Sequence, residues 1–547
     1  MARPTFDIVF TGNYWSAGLT TPRSGAVAVT DGVIAAVEHA PAAIDDFRAS
    51  AGEIIDVGSG LLLPGFQDAH VHPVMAGVHM QECALHDLDT AEQFLDEIAR
   101  YARAHPDRDW VTGAGWTFAA FPDGGPRKEI LDAICGERPA AVVVRDEHAV
   151  WVNTAALRRA GITSATLDPV GGRIERDSSG TPTGVLHESA MALLDGVKPT
   201  PSPADLDTAL TAAQRTLHAH GVTAWQDALV GNFGDIADVY ETYRRAASTG
   251  VLTARVNGAL FYDPALGTDQ IPAMIARRDG ATGLFTARTV KIMQDGIPEN
   301  HTAAMHAPYL DVTGLPTDIT GDSLIAPDVL DQVVRALQDA GFDMHFHTMG
   351  DRALTEVLDA LEAAEHPGEF RHQIAHLQSV RPSDIPRFAP LNVTANIQAL
   401  WAAHGQQMDH LCIPLIGLER ADQQFPFGDL VRAGARLSAG SDWPVSDPSP
   451  LDAIHVAVNR VAPGSEPDTP VFIERQKLTL TQAMTAYTSG GAYVNRIDRT
   501  GVIEPGMLAD LTILDRDPFA TPPLELHTLA PIATYVGGSP VWAAAEG

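Results

Sequence analysis

Short apolar runs alternate with amphipathic helical stretches through most of this chain, and that alternation limits its fold more than any other feature. The runs lie at 62–70, 222–227, 254–260, 288–294, 342–347, 373–376, 393–399 and 435–440. A strand, a helix and a second strand in succession form the crossover unit of a parallel sheet. Eight such runs predict a sheet closed into a barrel rather than an open one. The intervening helices carry their own punctuation. Ser202 and Pro203 supply an N-cap followed by proline in the first turn, and Leu206, Leu210, Ala213 and Leu217 keep the helical period up to Gly221. From Pro327 the design recurs, with Leu330, Val333, Val334 and Leu337 on one face and Gly341 at the end.

Two departures from the alternation set the rest of the architecture. The gap after the first run is too long for one helix, so residues 81–200 read as an inserted α/β subdomain, with strands expected around Trp110–Gly113 and Ala141–Val144. A loop of that size is expected to serve the site. Both ends of the chain are made of short strands. Asp31-Gly32 between two β-type runs is a hairpin signal, and Gly501–Ile503, Ala509–Leu514 and Thr534–Val536 have the same texture. The expected fold class is α/β: a (β/α)8 TIM barrel with a composite β-sandwich domain from both termini. In that plan 1–60 and 501–547 form the sandwich, 61–80 holds the first barrel strand and a metal motif, 201–472 completes the barrel, and 473–500 is helical.

Composition supports a folded enzyme-sized core, since 45% of residues are hydrophobic and only 19% charged. The 37 basic and 69 acidic residues give a net charge of −32, which repels nucleic acid and anionic membranes. A small-molecule substrate is therefore expected, with a homodimer as the prior for self-association. Cys83, Cys135 and Cys412 are odd in number and widely spaced, so no disulfide framework is expected. The stretch Met1 to Asp7 lacks the apolar run of a signal peptide, and no segment approaches the ~20 apolar residues of a membrane span. These features predict a cytoplasmic protein.

Five of the eight runs end on or carry an ionisable residue: His70 and His72, then Lys291, His347, His376 and Asp442. In a barrel those ends converge on one mouth. His70-Val71-His72 on an extended segment points both imidazoles to one side, which suits a metal ion. His345-Phe346-His347 has the same form, and spacing alone does not separate the two pairs. Lys291 is flanked by apolar residues; it either pairs outward, with Asp295 for example, or is buried, and a buried amine is a better nucleophile that can take up carbon dioxide as a carbamate. Each histidine alone is more often a satisfied core residue than a ligand. Asp442 alone could be a turn or cap residue. Their joint placement carries the argument.

These residues resemble the amidohydrolase superfamily, and within it amidohydrolase family 3, which includes N-substituted formamide deformylase. The matching stretches are Leu63 through Pro73, Val290 through Gly296, His347 through Ala353, Gly440 through Val445, His148 through Leu157 and Gly501 through Asp515. The resemblance implies a barrel with a terminal sandwich. It implies His70, His72, His347, His376 and Asp442 as metal ligands or catalytic partners, with Lys291 as a carbamylated bridge if two ions are bound.

The expected chemistry is hydrolysis of a carbon–nitrogen bond, an amide of N-formyl or N-acyl type. One or two divalent ions, zinc first among them, would acidify a water, and Asp442 would accept its proton and pass it to the leaving nitrogen, with His347 and His376 as further catalytic groups. Trp116, Phe118, His148, Trp151, Asp295, His301, Trp401 and His404 are candidates for the substrate pocket. Three other readings stay open at this level: an ester or lactone hydrolase, a deaminase, and a barrel that only binds. Deaminases of this superfamily carry Glu three residues after the fifth-strand histidine; here that place is Gly350, followed by Asp351.

Overall fold

The computed structural model describes residues 5–121, 125–169, 171–232, 237–365 and 369–545, so Met1 to Pro4 of the N-terminal stretch read above lie outside the described residues. Eight parallel strands form a nearly closed barrel: β1 (Phe66–Val71), β2 (Val222–Val230), β3 (Arg255–Phe261), β4 (Phe285–Met293), β5 (Asp343–Thr348), β6 (Gln373–His376), β7 (Thr394–Ile397) and β8 (Arg436–Ala439). Each of the apolar runs supplies one of them. Every residue of β1, β2, β5, β6 and β7 is buried, as expected where helices cover one face of a parallel sheet and packed side chains fill the other.

The helices hold to the barrel through the faces that the sequence marks. Pro73–His79 (α1) leaves the first strand at once. Pro203–Ala219 (α2) starts in a reciprocal cap between Ser202 and Asp205 and buries Leu206, Ala209, Leu210, Ala213 and Leu217. Pro327–Asp339 (α3) buries Leu330, Val333, Val334 and Leu337. Among the described residues no helix is long and apolar enough to cross a membrane.

The first apolar run serves two sheets. Leu61–Pro64 pairs with Leu511–Leu514 in a terminal sheet, and the barrel strand begins only at Phe66. The chain changes sheets at Gly65, where a Cβ would lie 2.2 Å from the Thr223 methyl, so no larger residue fits without displacing β2. The terminal sheet has eight strands drawn from both ends of the chain. Its Asp31-Gly32 turn has positive φ at both residues, 51° and 74°, the geometry of a type I′ hairpin. The insertion is a unit with a six-stranded sheet, and its strands Val111–Trp116 and Ala140–Val144 fall where the sequence places them.

The barrel seam matters most for function. β1 and β8 share no ladder, and the strand-end loops bridge them instead. The Asp442 N–H donates to the His70 carbonyl at 2.7 Å, and the His72 N–H to the Trp443 carbonyl at 2.9 Å. This approach is open only because residue 440 is glycine: a Cβ there would lie 2.6 Å from the Cβ of His70.

Candidate metal centre

The seam brings His70, His72 and Asp442 together, and His376 lies beside them. His70 Nε2 lies 3.3 Å and His72 Nε2 3.1 Å from Asp442 Oδ1, and His376 Nδ1 lies 3.9 Å from Asp442 Oδ2. One ligand atom each from His70, His72 and Asp442 fall within 4.8 Å of one another. His347 joins from β5, its ring centroid 4.4 Å from that of His376. His376 and Asp442 both have left-handed backbones, with φ of 75° and 56°. Such a conformation costs a non-glycine residue about 1–3 kcal/mol, and it is characteristic of residues aimed at a site.

A network beneath the cluster fixes the imidazole tautomers. The Gln226 amide nitrogen donates to Asn495, so its Oε1 is the acceptor facing His345 Nδ1 at 2.5 Å. His345 Nδ1 therefore carries the proton. Its Nε2 is left to accept from His70 Nδ1 at 2.9 Å, which leaves the His70 Nε2 lone pair free beside Asp442 for a cation. This separates the two His-x-His pairs: His345 braces His70 from the layer below, and His347 reaches the mouth. Asp68 accepts from the Ser441 hydroxyl and the N–H groups of Ser441 and His70, tying both sides of the seam; burial pushes its carboxyl up to about 7.

Burial drives His70, His345 and His376 well below the ordinary imidazole range, so they are neutral donors of lone pairs. Burial works to raise the Asp442 carboxyl, but the hydrogen bond from His72 and the nearby Lys291 outweigh it, and the group is held ionised. Lys291 is buried in the cavity wall, and burial lowers its amine to about 8. Among the described residues, His376 Nδ1 is buried and makes no hydrogen bond. Neutral imidazoles, an ionised carboxylate and an orphaned buried nitrogen fit a divalent cation.

Above the cluster opens a cavity of about 630 Å³, walled by the barrel mouth on one side and the insertion on the other. Residues 53–542 match the amidohydrolase family. The chain belongs to the amidohydrolase family. A Bacillus subtilis (strain 168) protein named as an amidohydrolase, YtcJ, is 29% identical over 525 residues, 95% of this chain and 96% of that protein. An N-substituted formamide deformylase of Arthrobacter pascens is 29% identical over 520 residues, 89% of each chain. A metal-dependent hydrolase from Pyrococcus horikoshii OT3 shares the fold with a TM-score of 0.74, 22% identity, and coverage of 94% of this chain and 99% of that one.

In this amidohydrolase the expected pocket residues separate into two sets. His148, Trp401 and His404 line the cavity, and Trp401 stacks on His376 at 5.1 Å. Trp116, Phe118 and Trp151 do not line it; Trp116 and Trp151 sit in the insertion's own core, with Phe118 packed against it. His301 packs on Tyr309, outside the lining. Asp295 is fully buried behind His347, 3.4 Å from its Nδ1, and accepts the N–H groups of Ala304, Met349 and Gly350. It does not line the cavity.

Sequence reasoning passed over the insertion's charged wall. Arg145, Asp146 and Glu147 line the cavity beside His148, whose Nδ1 meets Glu188 at 2.8 Å. Glu188 also accepts from Thr302 at 2.8 Å and Asn300 at 3.2 Å. Burial opposes charge on His148, but Glu188 and Asp146 outweigh it and lift the imidazole to about 9. Four successive ionisable residues directly after the apolar Ala141–Val144 strand were the signal available for this wall.

Proposed function

We propose that this amidohydrolase cleaves a carbon–nitrogen bond, an amide of N-formyl or N-acyl type, in a small molecule bound in the cavity between barrel and insertion. The observation that carries the reading is the ionised Asp442 carboxylate standing 3.1 to 3.9 Å from His70, His72 and His376 at the strand ends. His70, His72, His347, His376 and Asp442 would hold the cation, zinc first among the metals this donor set accepts. A buried amine uncharged in part at neutral pH makes Lys291 the group that would take up carbon dioxide and bridge a second ion. A divalent cation held there supplies an acidified water and polarisation of the carbonyl.

The chain's own residues do the rest. Asp442 takes the water's proton and delivers it to the departing nitrogen, which suits a carboxylate kept ionised at rest and flanked by imidazoles. His148, held protonated by Glu188, is a hydrogen-bond donor on the opposite wall. Trp401 covers His376 and, with Met293, Met349 and Leu400, lines an apolar stretch that excludes water and favours an uncharged acyl or amine group.

Deamination is disfavoured by Gly350. A Cβ there would lie 2.1 Å from the Ala304 carbonyl oxygen, so the glutamate of deaminases has no room, and Asp351 is engaged with the His306 N–H instead. The test is turnover of the metal-loaded protein on N-substituted formamides, N-acyl amino acids, lactones and aminopurines. Release of formate or carboxylate from an amide is the expected result. Ammonia from an aminopurine, or turnover of lactones alone, would overturn the proposal. Enrichment with ¹³C-bicarbonate should give a carbamate signal that is lost in Lys291→Ala.

A further inference from the structure

A second group of metal-type side chains, sharing no residue with the first, lies where the insertion joins the barrel. His79 ends α1, His86 follows the short strand Cys83–Ala84, and Glu147 occupies the turn between Ala140–Val144 and Ala149–Val152, with a left-handed φ of 66°. One ligand atom from each lies within 4.8 Å of the other two. His79 Nδ1 is 3.7 Å from Glu147 Oε1. Two donors at about 2.1 Å from a tetrahedral zinc stand about 3.4 Å apart, so this pair is already close to ligating separation. The two imidazole rings stack at 5.6 Å with 20° between their planes, side by side on the same patch. His86 Nε2 is buried and makes no hydrogen bond among the described residues, an unfavourable state that a cation would relieve.

We propose that His79, His86 and Glu147 form a second divalent-metal site, which clamps the insertion to the barrel. Two imidazoles and one carboxylate favour zinc, cobalt or nickel over magnesium or calcium, whose sites are built from oxygen. A small cavity of about 60 Å³ borders His79 and Glu147 and gives an ion a way in. The three ligands come from separate segments: the helix after the first barrel strand, the opening of the insertion, and the turn that lines the catalytic cavity. Glu147 adjoins His148, so an ion here fixes the turn that presents His148 to the substrate. The site shares no residue with the cluster at the barrel mouth, and the proposal does not depend on how many ions that cluster takes.

The experiment is a count. Wild type and His86→Ala are stripped, reloaded with zinc, freed of excess ion and analysed for metal per chain. Wild type should hold one equivalent more than His86→Ala, and metal should raise the melting temperature of wild type by more than that of the variant. Equal metal counts would overturn the proposal. His86→Gln repeats the count should the alanine variant not fold. Zinc-soaked crystals of the wild type decide independently: anomalous density among the three side chains is the expected result, and density at the barrel mouth alone ends the proposal.

Discussion

Two walls of one cavity carry shielded histidines in different protonation states. On the barrel wall His70 and His376, with His345 in the layer below, lie among other imidazoles and Lys291, and burial keeps them neutral. On the insertion wall His148 meets the Glu188 carboxylate and stays protonated, although burial opposes this. Shielding from water therefore does not decide what a histidine does here; its partner does. A neutral imidazole offers a lone pair to a cation, and a charged one offers hydrogen to a substrate oxygen. On the proposed reading, the cavity has a coordinating side and a donating side.

The largest effect that would break this division is expected at Asp442. Asp442→Asn should keep much of the metal and lose about 10²–10⁴ in turnover, the range for a general acid–base group, as measured by steady-state kinetics beside metal analysis. Turnover close to wild type would remove the proton-shuttle role.

On the insertion wall Glu188→Gln removes the charge that holds His148 protonated. It should lower stability by about 2 kcal/mol, typical of a lost charge-assisted hydrogen bond, read from urea denaturation midpoints. An unchanged midpoint would mean that the pair contributes nothing to the fold. A smaller, tenfold loss of metal affinity is expected for Gln226→Leu, which frees the His345 and His70 tautomers, and competition with a chelator would measure it.

The subtlest test is pH. His148 has its pKa raised to about 9, so its contribution is fully present below the ordinary imidazole range and is lost as pH rises through 9. The Glu188 carboxyl is lowered, because His148 outweighs burial, so its contribution is present above the ordinary carboxylate range and is lost as pH falls. The stability gap between wild type and Glu188→Gln should be widest near pH 5–6 and narrow on both sides. A gap that does not change with pH would show that the two groups are not coupled.

The barrel was legible from the chain because its signal is repeated and local. The runs at 222–227 and 373–376 mark strands by their apolar residues, and the proline starts of α2 and α3 mark the helices between them. The coordinating wall was legible too, since strand ends in a barrel point to one place. The donating wall was not, because Glu188 approaches His148 through the fold of the insertion and lies 40 residues away in sequence. Trp116 and Trp151 show the same limit from the other side. An aromatic residue on a strand reads identically whether it faces a ligand or a core, and only the packing of the six-stranded sheet sends both inward. His345 and His347 share a strand face and differ only in height, which spacing does not encode.

The seam between the first and last barrel strands has a consequence for how the protein matures. Asp68 and Ser441, which lock that junction, are 373 residues apart in the chain. Closing so long a loop is entropically slow, and the donors on either side of it cannot encircle an ion until the final strand has docked. On the proposed reading, capture of the cation waits for the eighth strand, and a chain released before that strand is complete would leave the ribosome chemically inert.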